Sequence, residues 1–272
     1  MTKIMQDPLP TKCVHNLIIV DESGSMEVIR KQAFIGMNET LQTVRKMQEK
    51  FPDQVQFVTL LTFDSGHTTW HYDDTAALKT KDLNWKAYNP CGGTPLYDAI
   101  GKGISKVNAQ IEDGDHVLVT IITDGEENSS EEWTLKMIRT MIEKLKKQNW
   151  TFTLIGTDNL DVETMAHSFA IDEHLEFQQD EAGTKAMFAR ERRGRERYNC
   201  CVEACAPMPV GKFFDECHKD RNFSTKNIIK TEKYRLFRQK IGFLLNFTPK
   251  KAPYCSAYAT ISEHYPNDSP IL

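Results

Sequence analysis

Long apolar runs are missing from this 272-residue chain. None approaches the roughly 20 consecutive apolar residues that a membrane-spanning helix requires. Residues 1–10 also lack the apolar stretch of a secretory signal. A cytoplasmic location is therefore expected. Cysteine is sparse and odd in number, seven in all, and a disulfide framework is not expected in a cytosolic chain of this length. The chain has no G-x-x-x-x-G-K-[ST] phosphate loop. Cys200, Cys201, Cys205, Cys217 and His218 could supply four zinc ligands, but without a pair of C-x-x-C knuckles the signal is weak, and free thiols are the favoured reading. No nucleophile–base pair is recognisable in the sequence, and an enzyme is not the leading expectation.

Forty per cent apolar residues support a real core, and the length suits one α/β domain plus an extension. The net charge of −4 conceals an asymmetry. Residues 1–189 hold 18 Lys+Arg against 29 Asp+Glu, a net of −11; residues 190–272 hold 16 against 9, a net of +7. Such a basic end either meets an acidic partner or lies on its own acidic domain.

Periodicity predicts the elements. Val14 to Val20 is a short apolar run, as in a buried central strand. Apolar residues recur every three or four positions from Glu27 to Lys50, predicting a long helix that Pro52 stops. Strands are expected at Val55–Phe63 and Thr68–Tyr72, turned at Asp64-Ser65-Gly66, which makes one edge strand antiparallel. A helix from Pro95 to about Ile111, a strand at His116–Ile122 and a helix over Ser130–Lys147 follow. Then come a strand at Thr151–Gly156, a helix near Val162–Phe169, a strand near His174–Phe177 and a closing helix from Gly183 to about Tyr198. This alternation predicts a doubly wound, mostly parallel α/β sheet with helices on both faces. The periodic signal degrades after Tyr198, so the domain is drawn at residues 13–198. Residues 1–12 form a lead-in, and 199–272 an irregular, basic, Cys- and Pro-containing extension with a possible helix at Glu232–Phe247.

Three segments carry chemistry. Asp21-Glu22-Ser23-Gly24-Ser25 follows the first strand. Gly92-Gly93-Thr94-Pro95 precedes a helix. Thr123-Asp124-Gly125 follows another strand. Loops at the carboxyl edge of a parallel sheet are where ligands bind. Two carboxylates and three hydroxyls gathered there suit a hard divalent cation, Mg2+ or Mn2+.

The D-x-S-x-S pattern at Asp21, Ser23 and Ser25, the threonine of G-G-T-P-L-Y-D and the later T-D-G resemble the metal-ion-dependent adhesion site of von Willebrand factor type A domains. The resemblance covers about residues 13–189 and is strongest to the stand-alone intracellular bacterial members. It implies Ser23 and Ser25 as direct ligands and Thr94 as direct or water-linked. Asp21 and Asp124 would hold coordinated waters. It also implies a protein partner that offers an acidic residue to the ion. Glu126, Glu127 and Asp98 lie close by and are candidates for a partner-binding rim, although acids also favour helix starts and caps. Neither a small-molecule substrate nor nucleic acid is expected. Two alternatives stay open: a Mg2+-dependent phosphohydrolase using Asp21 as nucleophile or base, and binding of nucleic acid or an anionic surface by a basic cluster at Arg190, Arg192, Arg193, Arg195 and Arg197.

Overall fold

A computed structural model describes residues 12–215. Six strands form one sheet in the order β3-β2-β1-β4-β5-β6. They are β1 (Lys12–Asp21), β2 (Gln54–Phe63), β3 (Thr68–Ala76), β4 (His116–Thr123), β5 (Trp150–Thr157) and β6 (Glu173–Phe177). Every pairing is parallel except β2 with β3, which makes β3 the expected antiparallel edge. The helices are α1 (Arg30–Lys50), α2 (Leu96–Asn108), α3 (Leu135–Leu145), α4 (Val162–Ser168) and α5 (Glu181–Glu203). Among the described residues no helix is long and apolar enough to cross a membrane.

The period-2 alternation of the strands builds two cores. Ile18 and Val20 of β1 join Leu118 and Ile122 of β4 beneath α1 and α5. Leu17 and Ile19 join Val119 and Ile121 beneath α2, α3 and α4. Both faces of β1 are buried, which is why its carboxyl half, Leu17 to Val20, is an unbroken apolar run. The strand order reverses direction at β1, between β2 and β4. The carboxyl ends of β1 and β4 therefore border the crevice where this topology places ligands.

Three elements differ from the periodicity. The long first helix begins as a 3-10 helix, Gly24–Ile29, and turns α-helical only at Arg30. Helix α3 begins at Leu135 rather than Ser130, and two carboxylates hold the non-helical segment before it by its amides. Glu127 accepts from the N–H groups of Ser129 and Ser130 at 2.8 and 2.6 Å. Asp98 accepts from those of Glu131, Glu132 and Trp133 at 3.0, 3.0 and 2.8 Å. The helix starts one residue after Thr134, whose side chain caps it by accepting the Met137 N–H at 3.4 Å. Helix α5 continues past Tyr198, and Val202, Phe213 and Phe214 beyond it are buried. The possible helix at Glu232–Phe247, Cys217 and His218 lie outside the described residues.

Candidate metal centre

Asp21 ends β1, where the chain turns sharply into the 3-10 helix. Its carboxylate makes that turn: Oδ1 accepts the Ser23 N–H at 2.7 Å and Oδ2 accepts the Thr123 hydroxyl at 2.6 Å. The second bond joins the ends of β1 and β4. Ser25 then donates to Asp124 Oδ1 at 2.7 Å. Since the Ser25 hydrogen points to Asp124, Ser23 is the donor in the 3.1 Å contact between the two serine hydroxyls.

Thr94 arrives on a loop stitched to the other two. Gly24 N–H bonds Gly92 O at 3.1 Å, Cys91 N–H bonds Glu22 O at 2.9 Å, and Asn128 N–H bonds Thr94 O at 3.1 Å. Asn128 Oδ1 accepts the Thr94 N–H in return, at 2.8 Å. Gly92 has φ +69°, a left-handed conformation that glycine adopts without steric cost. A Cβ added to Gly125 would lie 3.1 Å from Thr94 Oγ1 and 3.6 Å from Ser25 Oγ. The hydroxyls of the first and second segments therefore face the same small space, which the third segment leaves open by carrying glycine. All five predicted oxygen-bearing residues meet at one edge of the sheet.

The electrostatics are unusual for an interior. Asp21 and Asp124 are 0% and 1% exposed. Among the described residues their partners are all neutral: the Ser23 amide and the hydroxyl of Thr123 for one, the hydroxyl of Ser25 and the amide of Gln179 for the other. Buried charge without a counter-charge is costly. Burial, aided by the neighbouring Asp124 charge, pushes Asp21 up to about 6 despite its hydrogen bonds. Burial also raises Asp124. A hard divalent cation fits this donor set. It would neutralise two carboxylates and find hydroxyl oxygens beside them, with no sulfur or imidazole in the cluster. Among the described residues no three His, Cys, Asp or Glu side chains converge as a metal cluster of their own.

The rim residues separate. Glu126 is exposed. Glu127 accepts the Tyr97 N–H and the Ser130 hydroxyl as well as the amides of Ser129 and Ser130. Asp98 is 8% exposed. Burial opposes its ionisation, but three backbone N–H groups outweigh that and hold it below the usual carboxylate range. Asp98 and Glu127 thus cross-link the loops that deliver Thr94 and Asp124, and only Glu126 of the three is left facing solvent.

The basic cluster is largely consumed inside the fold. Arg195 is 0% exposed, and its guanidinium binds Glu191, Asn16 and Thr120. Arg190 and Arg197 donate to the carbonyls of Phe214, Lys212 and Asp215. Arg192 and Arg193 alone are exposed. Five arginines do not make one solvated face, because the i, i+4 pair Glu191–Arg195 points into the sheet.

Sequence patterns did not find Gln179, Thr123 as a clamp on Asp21, or Asn128 as a clamp on Thr94. Each acts through a partner far away in the chain, and no local spacing encodes that.

The sequence profile of the von Willebrand factor type A domain matches residues 17–189. Comparison with curated protein sequences finds no match. Among solved structures, the chain is similar to the PilB minor pilin from Streptococcus sanguinis, at 12% identity and a TM-score of 0.43, over 71% of this chain and 63% of that one. The chain thus spans less than two thirds of the pilin. It is also similar to the vWF domain of the type V pili tip protein Mfa5 from Porphyromonas gingivalis, at 10% identity and a TM-score of 0.46, over 67% and 95%. A third is the SpRpn10 VWA domain, at 11% and 0.43, over 66% and 94%.

Proposed function

The chain belongs to the von Willebrand factor type A domain family, and from that premise we propose that it is a metal-dependent protein-interaction module. Its ion is Mg2+ or Mn2+, and its partner is a protein that offers a carboxylate to that ion. Ser23, Ser25 and Thr94 would hold the cation directly or through water. Asp21 and Asp124 would hold its waters and balance its charge. One observation carries this proposal: two buried carboxylates, bonded among the described residues only to neutral groups, stand beside the paired serine hydroxyls. With the carboxylates held back, the ion would keep enough positive charge to attract an acidic side chain.

The proposal assigns no catalysis. Both oxygens of Asp21 already accept hydrogen bonds, and the side chain is fully buried. That arrangement suits holding a turn and a water better than attacking a phosphorus atom. A cytoplasmic location remains part of the proposal.

The test is capture of partners from lysate of the source cell, with wild type and Asp21→Ala, each in Mg2+ and in EDTA. A protein retained only by wild type in Mg2+ supports the proposal. Partners indifferent to both the ion and the substitution would defeat it.

A further inference from the structure

Gln179 lies in the turn between β6 and α5, a segment outside all three motif loops. Its side-chain amide donates to Asp124 Oδ2 at 2.8 Å. The other oxygen of that carboxylate, Oδ1, receives the Ser25 hydroxyl. The two oxygens therefore have separate duties: Oδ1 faces the serine hydroxyls and Oδ2 faces Gln179. The backbone that carries Gln179 is fixed on both sides. Its own N–H bonds Asp158 Oδ1 at 3.2 Å, and Asp180, the next residue, caps α5 by accepting the Gly183 N–H at 2.7 Å.

We propose that Gln179 is a positioning residue for the cation site, holding the Asp124 carboxylate so that Oδ1 stays turned toward Ser23 and Ser25. This rests on the cation reading given above. A carboxylate has about four lone-pair directions, so an anchor on Oδ2 leaves acceptor capacity on Oδ1 for a coordinated water. A carboxylate with one anchored oxygen loses less freedom when an ion arrives than one free to rotate. Groups that orient the residues around a metal are typically worth about 10–100-fold in affinity. The anchor comes from the loop that starts the closing helix, so a fourth segment of the chain contributes to the site.

The experiment uses the full-length chain, stripped of metal, with Mn2+ as the probe and free Mn2+ read by electron paramagnetic resonance. Wild type, Gln179→Met, Gln179→Ala and Asp21→Ala are titrated in parallel. Met keeps the length of Gln but removes the N–H donor, so packing is retained while the hydrogen bond is lost. Both Gln179 variants are expected to bind Mn2+ about 10-fold or more weakly than wild type, with metal-free melting temperatures close to wild type. Equal or tighter binding by Gln179→Met would overturn the proposal, since the donor would then be irrelevant or a competitor of the ion. A large fall in the metal-free melting temperature would overturn it too, making Gln179 a structural contact. If wild type binds no more Mn2+ than Asp21→Ala, the cation reading itself fails, a result distinct from the other two.

Discussion

Ser25 and Asp124 are 99 positions apart in sequence, yet the serine hydroxyl donates to the aspartate carboxylate at 2.7 Å. That bond joins the loop after β1 to the loop after β4, across the point where the strand order reverses. It places a hydroxyl and a buried carboxylate in mutual contact, with no cationic partner on that carboxylate among the described residues. The fold's stability and the site's chemistry draw on different parts of the molecule, so they can be tested separately.

At the opposite edge of the sheet, His15 of β1 bonds Asp74 Oδ1 at 2.7 Å and Asp115 Oδ2 at 3.3 Å, and stacks on Phe57 at 5.0 Å. Burial alone would lower its pKa. Asp115 and Asp74 together outweigh burial and raise it to about 9, from 6.5. A histidine raised on folding stabilises the protein fully below its unfolded value and loses that contribution as the pH climbs through the folded one. Wild type is therefore expected to lose about 3 kcal/mol of unfolding free energy between pH 6.5 and pH 9. His15→Gln should show a much flatter profile in urea titrations over the same window. Parallel profiles for the two proteins would show that the imidazolium contributes nothing.

Arg195 and Glu191 form an ion pair at 0% and 1% side-chain exposure beneath the sheet. Arg195 also bonds Asn16 Oδ1 at 2.6 Å and Thr120 Oγ1 at 3.0 Å. Removing one partner strands the other charge in the core. Arg195→Met is expected to cost about 3–5 kcal/mol in urea unfolding. The double variant Glu191→Leu/Arg195→Met should recover much of that loss, because no unpaired ion remains. A double variant no more stable than the single one would place the cost in the bonds to Asn16 and Thr120 instead.

Among the described residues, the stretch 199–215 belongs to the packed structure. Val202, Phe213 and Phe214 are 2%, 0% and 6% exposed, and full burial of each such side chain contributes roughly 1.5–3 kcal/mol. Together they compare with the roughly 5–15 kcal/mol that holds a whole domain together. A fragment of residues 12–198 is expected to melt far below one of residues 12–215, or to aggregate. Equal melting temperatures for the two fragments would make 199–215 dispensable and support the boundary drawn from periodicity.

Much of this molecule was legible in its sequence. Val14–Val20, Val55–Phe63 and His116–Ile122 announce buried strands because both faces of a central strand are apolar. Two of the three motif loops announce themselves because turn-forming and oxygen-bearing residues follow Val14–Val20 and His116–Ile122 directly, and the other, Gly92-Gly93-Thr94-Pro95, because it leads into a helix. What escaped depends on partners distant in sequence. Residues 129–133 lie before α3 and are bound through their amides by Asp98 and Glu127, contacts that helical periodicity does not record. Spacing places Arg195 in a basic cluster and cannot show that Asn16 and Thr120 bind it under the sheet. The i, i+4 series Glu191, Arg195, Asn199 and Glu203 was the available hint of a polar stripe turned inward. Gln179 left no local signal at all.

The most direct test of the metal centre is a calorimetric titration of Mg2+ into the metal-free full-length chain, alongside Asp21→Ala and Asp124→Ala. Wild type is expected to bind one ion per chain and to melt at a higher temperature with it, while both variants bind none and melt alike with or without Mg2+. A wild type that takes up no ion, or variants that bind as well as wild type, would contradict the assignment of Asp21, Ser23, Ser25, Thr94 and Asp124 as a cation site.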